Sequence, residues 1–161
     1  MNSAPDLVSF LLIDYKGGAA FRECWDLPHV SEVITDLDPD LARRALTSLT
    51  AELRRRERLW QAAGSADIGG YHQARAADPD LPATPRLVVI VDEFRVLADE
   101  LPEFIGGLIR TATVGRSLGV HLVLATQRPA GISADIRANV NLRIGLRVSD
   151  SGESRDLLDD P

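Results

Sequence analysis

Three runs of this chain are apolar almost without interruption, and each stops at a polar tip. They are VSFLLID (8–14), RLVVIVDE (86–93) and VHLVLATQ (120–127). Runs of this length and continuity read as buried strands, the habit of parallel sheets. Between them the apolar residues switch to helical spacing. Buried strands alternating with helices predict an α/β domain whose parallel sheet is covered by helices on both faces. In such sheets a ligand sits beyond the carboxyl ends of the strands. Asp14, the Asp92–Glu93 pair and the Thr126–Gln127 pair are therefore expected to gather at one place.

The intervening pattern is explicit. Asp38 caps a long helix, with Pro39 at the first position, where its missing N–H costs nothing. Leu41, Ala45, Leu49, Leu53 and Trp60 keep its apolar stripe, and Gly64 stops it. Arg43, Arg44, Arg54, Arg55, Arg56 and Arg58 lie on the same helix, mostly as a solvated face with Glu52 and Glu57 as partners. Asp67 caps a shorter helix over 68–77, and the proline-rich DPDLPATP (78–85) is a surface connection. Helices are expected near 94–99 and 102–117, with a short one over 19–25. SEVITDL (31–37) reads as a weak strand or extended loop. Ser133 caps another short helix, NLRIGLRV (141–148) reads as a further strand, and Ser149 or Asp150 caps a closing helix.

Composition narrows the function classes. Of 161 residues, 45% are apolar and 26% charged, which excludes a disordered chain or a collagen-like repeat. No stretch approaches the roughly 18 consecutive apolar residues of a membrane span, and no secretory leader is visible. A cytoplasmic location is the expectation. The formal net charge of −6 gives no overall basic footprint for duplex DNA, although unevenly placed charge still allows a basic face. The single cysteine, Cys24, excludes a disulfide framework. His29, His72 and His121 share no metal-ligand spacing, and no Ser-His-Asp set can be assembled.

The acids at 92–93 carry the most chemistry. Five apolar residues followed by Asp-Glu is the pattern of a Walker B strand. There the aspartate holds Mg²⁺, usually through water, and the glutamate polarises the water that attacks a γ-phosphate. The same two acids also suit an ordinary strand leaving the core, where they favour the start of the next helix. Gln127 suits a phosphate sensor, or a turn before Pro129 with its amide satisfied by backbone. The glycines of IDYKGG (13–18) follow a strand as a phosphate cradle would. Yet a P-loop needs G-x-x-x-x-G-K-[ST], and the chain's one lysine, Lys16, is followed by Gly17. The sequence contains no Walker A motif.

Taken in order, LLIDYKGG, LPHV, the Arg-rich helix, LVVIVDEF, GRSLGVHLVLATQRPAG, IRANVNLRIGLRV and ESRDLL resemble the FtsK/SpoIIIE family of hexameric motor ATPases. DYKGG and LPHV look most like its EccC/EssC branch, the type VII secretion ATPases and their actinobacterial relatives. The resemblance implies a RecA-like P-loop NTPase core that uses ATP and Mg²⁺. It implies Asp92 and Glu93 as the Walker B acids, with Asp92 toward the metal. Thr126 and Gln127 fall at the sensor position, and Asp14 and Lys16 in the strand-end D-x-K-G element. Arg44 falls where that branch places an inter-subunit arginine, and Arg116 is the competing choice.

The implied partners are homo-oligomeric or tandem ring neighbours and a secreted protein cargo, with double-stranded DNA as the alternative. The implied location is the cytoplasm or the cytoplasmic face of a membrane complex. The family core begins with a strand, a Walker A loop and a helix that would precede residue 5, and continues past Pro161. Residues 1–161 are thus expected to form a partial domain, incomplete at both ends and inactive alone. A non-catalytic interaction module and a gene fragment are the other readings.

Overall fold

The computed structural model describes residues 3–15, 20–35, 38–127, 134–140, 142–147, 152 and 154–155. Four strands form one sheet: β1 (Val8–Asp14), β2 (Val30–Ile34), β3 (Arg86–Asp92) and β4 (Val120–Leu124). Their order is β2-β1-β3-β4, and every pair is parallel. The helices are α1 (Pro39–Ala62), α2 (Ile68–Ala77), α3 (Phe94–Glu100), α4 (Pro102–Gly115) and α5 (Ala134–Asn139).

The connection from β2 to β3 crosses β1, and the connection from β3 to β4 steps the same way. Right-handed crossovers running in one direction put their helices on one face. Burial agrees. Leu87, Val89 and Val91 of β3 belong to the hydrophobic core, as do Ile13 of β1 and Val120 of β4. The alternate residues Val88 and Ile90 are only half-buried, and Val123 is 45% exposed. Cover by helices on both faces is the expectation from sequence; among the described residues α1 to α4 pack on a single face, and Leu12 of β1, on the other face, is also buried.

Helix α1 forms as its caps and stripe dictate. The Asp38 carboxylate accepts the Leu41 N–H at 2.7 Å, and Pro39 opens the first turn. Ala42, Leu49, Leu53, Arg56 and Trp60 are its buried residues. Asp67 caps α2 by accepting the Gly70 N–H at 2.8 Å. Trp60 and Tyr71 stack with ring centroids 4.3 Å apart, which joins the two helices. Helix α4 comes close to α1 at Gly107, where a Cβ would lie 2.6 Å from Leu46 Cδ1.

One buried residue overturns the solvated-face expectation. Arg56 is 2% exposed. Its guanidinium donates to Leu118 O, to Pro85 O and to the Glu52 carboxylate, each at 2.8 Å. Pro85 and Leu118 are the lead-ins to β3 and β4, so one fork ties α1 to two strand entrances. Each of its three nitrogens has an acceptor, which is what makes a buried arginine tolerable.

Other expectations are corrected too. The short helix at 19–25 is a single 3₁₀ turn, Arg22–Cys24. Residues 142–147 form no strand, and Leu142, Ile144 and Leu146 are 75%, 72% and 86% exposed. Their alternation suits a strand, but a strand exists only through a paired neighbour. Strand β4 stops at Leu124 rather than Gln127. Ser133, Ser149 and Asp150 lie outside the described residues.

Candidate functional site

The tips of β1 and β3 are side by side. Asp14 and Asp92 are register partners on the last rung of that ladder. Paired residues of adjacent strands share a face, and their backbones lie about 4.8 Å apart. Ile13 and Val91, one residue earlier, point into the core. Asp14 and Asp92 therefore belong to the face away from the helices. Asp14 is 2% exposed and accepts the Ala20 N–H at 3.0 Å, six residues on.

Glu93 follows directly. It is the chain's non-glycine residue at positive φ, with φ 51° and ψ 39°, among the described residues. A left-handed non-glycine residue costs about 1–3 kcal/mol and persists only where its surroundings hold it. Here it turns the chain from β3 into α3 within one residue. Glu93 is 6% exposed, and its carboxylate makes no capping bond to the helix it precedes.

Strand β4 supplies the third tip. Ala125 donates its N–H to Val91 O at 2.9 Å, and its carbonyl accepts the Phe94 N–H at 3.0 Å. This threads residue 125 between the end of β3 and the start of α3. Thr126, half-buried, and Gln127, exposed, emerge next to it. Asp14, Asp92, Glu93, Thr126 and Gln127 thus occupy one end of three adjacent strands. Lys16 lies outside the described residues.

Chemically, the paired aspartates present hard oxygen donors of the kind Mg²⁺ takes while keeping several waters. Among the described residues no group of three or more His, Cys, Asp or Glu side chains is arranged to hold a metal by itself. The donor set therefore fits a hydrated ion shared with a ligand.

The two arginine candidates separate. Arg44 lies exposed in the second turn of α1, which starts just beyond the tip of β2, at the same end as the acids. Arg116 follows the last residue of α4, where the chain re-enters the sheet at β4. It is at the opposite end. There Arg116 and Arg86 line a shallow concavity of about 530 Å³ with Thr113 and Ser117. His121 begins beside them. Desolvation first, then the charges of Arg86, Arg116 and Arg56, lowers its pKa below the ordinary 6.5.

Two contacts escaped sequence reasoning. The first is the Arg56 fork, whose signal was present: residues 49, 53, 56 and 60 share one helical stripe, so Arg56 sits in the apolar series. In that fork burial works to raise the pKa of Glu52, but hydrogen bonds from Arg55 and Arg56 outweigh it and hold the carboxyl low. The second is a hydrogen bond from the Tyr15 hydroxyl to the Glu100 carboxylate, 85 residues apart, which no local pattern announces. His29 and His72 are structural, bonded to Ser3 O at 2.8 Å and Thr84 O at 3.0 Å.

Comparison with known proteins places this geometry in context. The FtsK/SpoIIIE family matches residues 1–131. The whole chain aligns at 44% identity with the type VII secretion system protein EssC of Staphylococcus aureus, and covers 11% of that protein's length. The structure of the cytoplasmic domain of the type VII secretion ATPase EccC of Thermomonospora curvata superposes with a TM-score of 0.86 at 36% identity. That match covers 99% of this chain and 19% of the other. A structure of ATPases 2 and 3 of the same EccC, in complex with a signal sequence peptide, superposes with a TM-score of 0.80 at 27% identity. It covers 94% of this chain and 27% of that one.

Proposed function

The chain belongs to the FtsK/SpoIIIE family and is homologous to the type VII secretion ATPases, and from that premise we propose that it carries the acidic, water-activating side of an ATP-driven protein translocase. The observation that supports this reading is the gathering of Asp14, Asp92, Glu93 and Gln127 at one end of three adjacent parallel strands.

Asp92, with Asp14 beside it, would hold a hydrated magnesium ion, whose positive charge would offset that of the phosphates when nucleotide is bound. Glu93, buried and uncapped, orients the attacking water and accepts its proton. Gln127 and Thr126 hydrogen-bond the terminal phosphate or that water. Residues 1–161 act as part of a RecA-like domain whose Walker A segment the sequence does not contain. Arg44 is favoured over Arg116 as a residue acting on a neighbour's nucleotide only if neighbours meet at the acidic end. The opposite placement favours Arg116.

The favoured cargo is a secreted protein, because an EccC relative is seen with a signal sequence peptide. The favoured location is the cytoplasmic face of a membrane complex. No described helix is long and apolar enough to cross a membrane. The test is ATP turnover by the protein as its gene encodes it, in its assembled form. Glu93→Gln should lower turnover at least 100-fold while ATP still binds; turnover within twofold of wild type refutes the assignment. Duplex DNA binding that weakens steeply with salt would move the cargo to DNA.

A further inference from the structure

Helix α3 is pinned at both ends to the tips of two different strands. At its start the Phe94 N–H donates to Ala125 O, just past β4, at 3.0 Å. At its end the Glu100 carboxylate accepts the hydroxyl of Tyr15, the residue after β1. Seven helical residues rise about 10 Å, so α3 reaches from beside β4 across the tip of β3 to β1. Its inner side chains Phe94 and Leu97 are 3% and 0% exposed. Asp14 and Tyr15 are consecutive and point to opposite faces. The short segment that sets Asp14 against Asp92 therefore also holds the far end of α3.

Glu93 stands at the near end in a left-handed conformation with no cap bond of its own. Such a conformation survives only where neighbouring structure fixes it. The backbone pin at Phe94 holds one side. Core packing of Phe94 and Leu97 and the direct junction with α4 hold the body of the helix, and the contact at Glu100 adds a restraint against rotation of its far end.

We propose that the Tyr15–Glu100 hydrogen bond is a positioning device for Glu93, coupling the end of β1 at Asp14 and Tyr15 to the orientation of the water-activating carboxylate. Tyr15 and Glu100 are positioning residues that touch no ligand. The inference rests on the role given to Glu93 above.

The test compares Tyr15→Phe, Glu100→Ala, Glu100→Gln and Glu93→Gln in the assembled protein as encoded. Tyr15→Phe and Glu100→Ala should each lower kcat for ATP about five-fold with KM unchanged, and the double variant should add nothing. Glu100→Gln, which keeps an acceptor oxygen, should restore turnover to within twofold of wild type. Amide exchange is read in parallel. Tyr15→Phe should speed exchange at the helical amides of α3 about tenfold while those of α1 and β3 keep theirs. A contact that merely stabilises the fold would shift all three elements together and leave kcat unchanged. Unchanged α3 exchange in Tyr15→Phe overturns the proposal whatever the turnover. Wild-type-like turnover in Glu93→Gln overturns the underlying role instead.

Discussion

The guanidinium of Arg56 donates to the carbonyl of Leu118, 62 residues further along the chain. Its other arms reach Pro85 O and Glu52. The approaches to β3 and β4, two of the strands whose tips carry the polar cluster, are thereby anchored to one turn of α1.

Arg56→Ala is expected to destabilise the chain by about 3 kcal/mol. It leaves two strand-entry carbonyls and one Glu52 oxygen without that donor in a largely buried site. Arg56→Lys should recover only part, because an ammonium lacks the planar fork that meets three acceptors. Urea unfolding checks this: the midpoint should fall with the m-value unchanged. A loss below 1 kcal/mol for Arg56→Ala would show that water replaces the fork.

Stability should fall in two steps on acidification. His121 has a lowered folded pKa, so below about pH 6.5 the unfolded chain takes up its proton first and folding weakens until the folded value is passed. Glu52 also has a lowered folded pKa, so its contribution is present above the ordinary 4.5 and is lost as pH falls through the folded value. His121→Gln should flatten the first step only. Added salt should shrink it, since Arg86 and Arg116 are exposed. Unfolding free energies measured from pH 8 to 3 decide both points.

Gly64 and Gly119 share a left-handed backbone, with φ 64° and 76°, but not the same surroundings. A Cβ at Gly64 meets nothing within 4 Å, whereas one at Gly119 would overlap the Ile68 side chain. Gly64→Ala should cost about 1 kcal/mol of backbone strain. Gly119→Ala should cost about 2–4 kcal/mol, because overpacking adds to that strain. Equal melting-temperature shifts for the two variants would contradict the packing argument.

Asp14 and Asp92 side by side should make stability respond to magnesium. Like charges opposite one another on adjacent strands repel, and an ion that binds only the folded state stabilises it by linkage. Millimolar Mg²⁺ should raise the melting temperature more than KCl of equal ionic strength does. Asp92→Asn should abolish the difference. The same shift in wild type and Asp92→Asn would remove Asp92 from any ion site.

Much of the domain was readable from sequence because the signals were local. Asp38 and Asp67 as caps, Gly64 as a stop and the three apolar runs each announce themselves within a few residues, and the elements formed where those signals lie. The polar strand tips were readable as a group too, because parallel strands place all their carboxyl ends on one edge. The failures were non-local. The alternation in 142–147 promised a strand, but pairing needs a second backbone, and none lies beside it among the described residues.

By itself, the order of residues determined which segments become strands and helices and which residues cap them. It also determined that the acids end strands rather than begin them. Only the tertiary structure decided that Asp14 faces Asp92, that Glu93 is bent left-handed, and which carbonyls the Arg56 guanidinium reaches. It alone showed that Arg44 and Arg116 lie at opposite ends of the sheet. The reason is physical: capping and periodicity act over one or two turns, whereas register, backbone strain and the partners of a buried charge depend on groups that meet only after the chain has folded.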